Sequence, residues 1–391
     1  MLATPFVRAA WFVLLAAIVS VAAAAEPADP KAEQVSQELW KKIAPQFQPA
    51  ELPPASSPLR SPLLKADGSR VTDAAEWKAR RAEILADWHQ RMGAWPAVIE
   101  KPKIEVLEET KRGELTQRKL RFDLAPGKPT DAYLLVPPGE GKRPAMLVVF
   151  YEAETAVGLN PKAKEGRDFA WQLAQRGFVT LSVGRQPLLT GSNDIVPEIQ
   201  PLSAMAYAAA NAWHVMAAQP EIDPARIGVM GHSYGGKWAM FASCLYDKFA
   251  CGVWSDGGIV FDEPRSNVNY WEPWYLGFEE GKHRKRGLVT EDNPRTGPYR
   301  QMIADGRDLH ELHVLMAPRP FLVSGGSEDP PARWQALGHS VEVNKLLGYT
   351  DRVAMTNRPA HDPSPESNEQ LALFLEYFLK QGHALDSAGK R

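Results

Sequence analysis

The chain predicts an α/β fold, a three-layer sandwich in which helices cover both faces of a mostly parallel sheet. Two observations carry this. From Ala145 onward, apolar runs of strand length alternate with helix-like segments, as expected of parallel strands buried on both faces. Within that alternation, Ile227-Gly228-Val229-Met230 enters Gly231-His232-Ser233-Tyr234-Gly235 and then the helical pattern Lys237 to Ala242, which reads as strand, sharp Gly-flanked turn and helix.

The elements follow in order. Met1 to Ala25 carries one basic residue, Arg8, then an apolar run from Ala9 to Ala24 that ends in Ala23-Ala24-Ala25. This reads as a secretory signal peptide cut after Ala25, which predicts a periplasmic or secreted protein. An uncleaved anchor is the competing reading, for which the run is slightly short. Residues 26–100 are expected to form an N-terminal arm and a docking helix: Glu26 to about Pro62 is rich in Pro, Ala and polar residues and predicts an extended arm. Between Thr72 and Met92, the residues Ala74, Trp77, Ile84, Leu85 and Trp88 recur at helical spacing and predict an amphipathic helix on the core.

The main domain is expected over 101–385. Segments 104–109, 115–124 and 131–136 alternate as antiparallel strands at the leading edge of the sheet. Strands at 145–150, 178–183 and 226–230 then alternate with helices at about 167–175 and 202–218. Beyond Ser233 come helix 235–246, strands 250–255 and 319–324, helix 333–347, strand 352–357 and a closing helix 366–380. An insertion at about 258–307 interrupts this pattern and bears Tyr270, Trp271, Trp274, Tyr275, Phe278 and Tyr299. These aromatics make either the insertion's own small core or a lid and platform for sugar rings, whose apolar C–H faces pack on aromatic faces.

A formal net charge of −2 and a pI near 6.5 give no whole-molecule field for nucleic acid or an anionic membrane. The expected partner is a small-molecule or polysaccharide substrate met by a monomer, with no nucleic acid and no membrane after signal cleavage. Only Cys244 and Cys251 are present, so an exported chain does without a disulfide framework. One bridge between them or two small buried thiols are the readings, the second favoured.

The Gly-flanked turn is the nucleophile elbow of an α/β-hydrolase, which makes Ser233 the candidate nucleophile. A serine hydroxyl needs a base, placed in this fold after the last strand in the order serine, acid, histidine. Among nine histidines, His361 fits, in the loop Asn357 to Pro363. The orienting acid has two candidates: Asp329, after strand 319–324, and Asp256, after strand 250–255; topology favours Asp329. The backbone N–H of Tyr234 and one from Tyr151 or Glu152 are the expected oxyanion donors. Lys237, one helical turn beyond Ser233, suits a substrate carboxylate or sugar hydroxyls, or else an ion pair with Asp256 or Asp262. Arg185 and His310 are further candidates near the rim. This chemistry requires neither a metal nor an organic cofactor.

Several blocks resemble the bacterial relatives of the glucuronoyl esterases and the neighbouring acetylxylan-type esterases. They are Arg226 to Ser233 with Lys237, Ser255-Asp256-Gly257-Gly258, Asp308 to Leu312 leading into Ala317 to Pro320, and His361. The resemblance covers about Arg226 to Leu379 and implies a serine esterase in which Ser233, His361 and Lys237 take the family's roles. It allows the acid at either Asp256 or Asp329. Glucuronoyl esterases usually carry arginine directly after the nucleophile, where this chain has Tyr234. The string Gly231 to Gly236 also looks like the elbow of prolyl-oligopeptidase-type peptidases. The expectation is an exported serine carboxylic-ester hydrolase acting on glucuronoyl or acetyl esters of xylan-type polysaccharide. The alternatives are such a peptidase, or a carbohydrate-binding protein with a dead site.

Overall fold

The computed structural model describes residues 30–48, 59–184, 199–265, 275–282 and 284–385. The expected signal peptide, Arg185, Tyr270, Trp271 and Trp274 lie outside the described residues. In chain order the elements are α1 (Pro30–Ile43), α2 (Ala74–Met92), β1 (Glu105–Arg112), β2 (Leu115–Ala125), β3 (Lys128–Val136), β4 (Arg143–Phe150), α3 (Ala153–Ala156), α4 (Phe169–Gln175), β5 (Val179–Gly184), α5 (Pro201–Ala217), β6 (Ile222–His232), α6 (Tyr234–Leu245), β7 (Cys251–Ser255), α7 (Gly297–Ala304), α8 (His310–His313), β8 (Phe321–Gly325), α9 (Gly338–Leu346), β9 (Val353–Asn357) and α10 (Pro365–Leu375).

The nine strands form one sheet in the order β1-β2-β3-β5-β4-β6-β7-β8-β9. β1, β2, β3 and β5 pair antiparallel, and from β5 through β9 every pairing is parallel. β4 and β7 are buried along almost their whole length, which is why their sequences are continuously apolar rather than alternating. The elbow strand β6 is thus central, and the loops after β4, β6, β7, β8 and β9 meet at one carboxyl-terminal edge, where open parallel sheets carry their sites.

One helix face is fixed by α2, whose Trp77, Ile84, Trp88 and Met92 are buried and whose N-cap Asp73 accepts from the Glu76 N–H at 2.9 Å. α5 is buried from Pro201 to Met216 because it packs on β2, β4 and β6, lies beside α6 and is covered by the segment around Trp95 and Ala97. Within the segment expected to be an extended arm, Pro30–Ile43 is helical instead: α1 buries Leu39 and Ile43, and Phe47 stacks on Trp40 and packs against Phe374 and Phe378. The Pro-rich composition of the whole arm masked this short apolar stripe. The helix expected over 333–347 is a 3₁₀ segment at Pro331–Leu337 followed by α9, and the closing helix ends in a π segment at Glu376–Lys380.

Of the insertion's aromatics, Tyr275 and Tyr299 are buried in the main core, with Tyr299 edge-on to Phe261 at 4.9 Å. Cys244 and Cys251 are unbonded buried thiols, and burial pushes both well above the usual thiol range. Among the described residues no helix is long and apolar enough to cross a membrane.

Candidate active site

Ser233 and Asp256 are the non-glycine residues with positive φ among the described residues, at 58° and 48°. Backbone of this kind is strained and survives only where the surroundings over-determine it. At Ser233 the cause is the turn from β6 into α6, which brings the start of α6 so close to the neighbouring β4 that a Cβ on Gly235 would stand 2.2 Å from the Val149 carbonyl oxygen. Only glycine fits there, and a Cβ on Gly231 would likewise stand 2.1 Å from the Gly235 carbonyl oxygen.

From this elbow the Ser233 Oγ lies 2.8 Å from His361 Nε2, and His361 Nδ1 lies 2.6 Å from Asp256 Oδ2. Ser233, His361 and Asp256 therefore form one hydrogen-bonded chain across the ends of β6, β9 and β7. The His361 side chain is 33 % exposed whereas Asp256 is fully buried, so the imidazole can meet a ligand while its carboxylate partner is shielded from water.

The expected preference for Asp329 is corrected by this geometry. Asp329 follows β8 as expected, but its carboxylate turns away from His361 and accepts the Gly258 and Ile259 N–H groups, both at 2.8 Å. Asp256 in turn uses its Oδ1 to accept from the N–H groups of Gly326, Glu328 and Asp329 at 2.7, 3.0 and 2.8 Å. The loops after β7 and β8 thus exchange carboxylates, and the positive φ at Asp256 is what aims its second oxygen at the histidine. Burial and the nearby Asp256 charge raise the Asp329 carboxyl to about 6.

Lys237 is buried in the first turn of α6, with its ammonium 5.6 Å from the centre of the Tyr275 ring. Burial lowers it to about 8, opposed by the charges of Asp329, Glu328 and Asp256. The ion pairs considered from sequence are otherwise engaged: Asp256 faces His361, and Asp262 pairs with Arg333. Arg265 meets Glu328 at 3.2 Å beside this group.

On the other side of Ser233, Tyr234 opens α6, and its ring lies 5.6 Å from that of Tyr151 in the loop after β4. Glu152 is exposed and stands at the N-cap position of the short α3, with no capping bond from its side chain. His310 does not belong to this site. It is buried on α8, its Nε2 meets the Arg60 carbonyl at 3.1 Å and its ring packs on His339 at 5.0 Å, because the helical turn aims it toward those residues. Among the described residues no group of His, Cys, Asp and Glu is arranged to hold a metal.

Sequence reasoning missed His232, Ser255 and Arg358. His232 is buried, its ring 4.8 Å from that of His361, and its Nδ1 lies 3.1 Å from Ser255 Oγ. Burial, with His361 and Arg358 nearby, holds it well below the ordinary imidazole range, so it stays neutral beneath His361. Arg358 stands three residues before His361, and nothing in its spacing signals that its side chain turns inward.

A serine on a strand-to-helix elbow, a histidine after the last strand and an aspartate at an intervening strand end, on this sheet, define an α/β-hydrolase. Known proteins point the same way. The prolyl oligopeptidase family matches over residues 208–331, the segment from α5 through the loop after β8. Over 356 residues the chain is 23 % identical to the 4-O-methyl-glucuronoyl methylesterase of Neurospora crassa, covering 86 % of each protein. The glucuronoyl esterase of Solibacter usitatus has the same fold with a TM-score of 0.65, at 21 % identity over 84 % of this chain and 99 % of its own. That of Teredinibacter turnerae gives 0.63 at 17 % identity over 90 % of this chain and 100 % of its own. The chain resembles glucuronoyl esterases over most of its length.

Proposed function

We propose that this chain is an exported serine esterase that cleaves carboxylic esters of plant-type polysaccharide through an acyl-enzyme, with uronate esters as its first substrate class. The observation that carries the reading is the hydrogen-bonded chain Ser233, His361 and Asp256 with a buried cation, Lys237, one helical turn from the nucleophile. The likeness to glucuronoyl esterases supports the same substrate class.

In this mechanism His361 Nε2 takes the Ser233 proton as Oγ attacks the ester carbonyl, and Asp256 holds the Nδ1–H and steadies the imidazolium. The Tyr234 N–H and one from Tyr151 or Glu152 receive the oxyanion, each such donor worth about 10²- to 10³-fold in rate. His361 then gives its proton to the departing alcohol, and water, activated by the same base, releases the acid. In a uronate ester the carboxyl is masked, so Lys237 donates to ring hydroxyls and then meets the carboxylate as it is freed.

The deciding assay compares a methyl glucuronate ester, an acetylated xylan fragment and a prolyl peptide with the same protein. Preferred turnover of the glucuronate ester is expected; preference for acetyl or peptide would assign the site to those substrates instead. Lys237→Met should raise KM for the glucuronate ester about tenfold to a hundredfold, as for a lost charged hydrogen bond, and leave a small aryl acetate unaffected. Because Lys237 is lowered to about 8, its charge is present below that pH and lost above it. In the unsubstituted protein KM for the glucuronate ester should therefore climb above about pH 8, with no such rise for the aryl acetate. Equal changes on both substrates would remove Lys237 from sugar recognition.

A further inference from the structure

The turn that carries His361 is held by one buried side chain. Arg358 is 8 % exposed, and its guanidinium makes six hydrogen bonds. Nη1 donates to the Ser324 carbonyl at 2.9 Å, to Ser324 Oγ at 3.1 Å and to the Gly325 carbonyl at 3.3 Å. Nη2 donates to Ser255 Oγ at 3.3 Å and to the carbonyl of His361 itself at 2.7 Å, while Nε donates to the Asp362 carbonyl at 2.8 Å. The Arg358 backbone N–H adds a bond to the Gly325 carbonyl at 3.0 Å.

One rigid planar fork therefore ties the ends of β7 and β8 to the turn after β9. Its contact on β7 is Ser255, the residue before Asp256, and its contact on the turn is His361. Ser255 Oγ also meets His232 Nδ1, so the ring that supports His361 from below is tied to the same guanidinium. The far side of the turn is steadied by Asp362, which pairs with Lys164 at 2.7 Å and with Arg167.

We infer that Arg358 is the positioning residue of His361: its guanidinium sets where the imidazole stands between Ser233 and Asp256. Lysine carries its three donors on one nitrogen rather than on a planar fork, so it cannot reach the ends of β7 and β8 and the turn after β9 at once. A base displaced by about 1 Å loses roughly 10²-fold in rate. The inference rests on reading Ser233, His361 and Asp256 as the triad, so its test carries a separate check on that reading.

The experiment compares the full chain with Arg358→Lys, Arg358→Ala and His361→Ala on an aryl acetate, with melting curves for each. Arg358→Lys should remain folded and lose about 10²-fold in kcat, while KM stays within about twofold. Arg358→Ala should regain about tenfold of its lost kcat in millimolar guanidinium, which can occupy the vacated site, and His361→Ala should not. A folded Arg358→Lys protein with unsubstituted kcat would overturn the inference. Loss of the fold in both Arg358 variants would likewise overturn it, assigning the residue to holding the sheet ends together. If His361→Ala retains full turnover, the triad reading is what fails.

Discussion

Ser233→Ala leaves a folded protein whose kcat on an ester is lower by about 10⁶-fold, the scale of loss when the nucleophile of a serine hydrolase is removed. The fold should persist because the substitution keeps the Cβ that already sits at a φ of 58°, and the turn is imposed by Gly231 and Gly235 rather than by the hydroxyl. Labelling by a fluorophosphonate should disappear with the turnover. Residual activity comes from the oxyanion donors and substrate binding alone, which act without the nucleophile. A variant that turned over ester at the unsubstituted rate would move the chemistry away from this elbow.

The second large effect separates the two aspartates. Asp256→Ala should cost about 10⁴-fold in kcat, because His361 loses the partner that fixes its tautomer and stabilises its charged form. Asp329→Asn should keep kcat within about tenfold, since Asp329 touches neither Ser233 nor His361. Its cost should fall on stability instead. An amide in that position faces the Gly258 and Ile259 N–H groups with only one acceptor, and a buried donor left unsatisfied costs about 1–3 kcal/mol. Steady-state kinetics and urea denaturation of the two variants make the comparison. The reverse pattern, a dead Asp329 variant beside an active Asp256 variant, would restore the acid that loop topology favours.

The Asp329 preference shows how far sequence order reaches. Counting strands places a carboxylate after β8, and that placement is correct. Order along the chain does not say which way a side chain turns, and Asp329 turns into the loop after β7. Helical spacing alone puts Lys237 one turn from Ser233; its burial, which lowers it to about 8, is set by the tertiary packing. His310 shows the opposite case: a histidine close in sequence to a strand that enters the sheet was carried by its helical turn toward Arg60 and His339. The N-terminal helix was hidden because its buried stripe is only Leu39 and Ile43, too short to stand out from a Pro- and Ala-rich arm.

By itself the sequence determined the α/β fold class, the elbow around Ser233 and the placement of His361 after the last strand. These follow from periodicity and from glycines whose neighbours are local, so they are written in short stretches of chain. Only the tertiary structure decided that Asp256 rather than Asp329 meets His361, that His232 lies beneath it, and that Arg358 holds its turn. Each of these depends on a backbone angle and on contacts among the residues near 256, 326 and 361, segments that meet only when the strand ends are brought to one edge of the sheet.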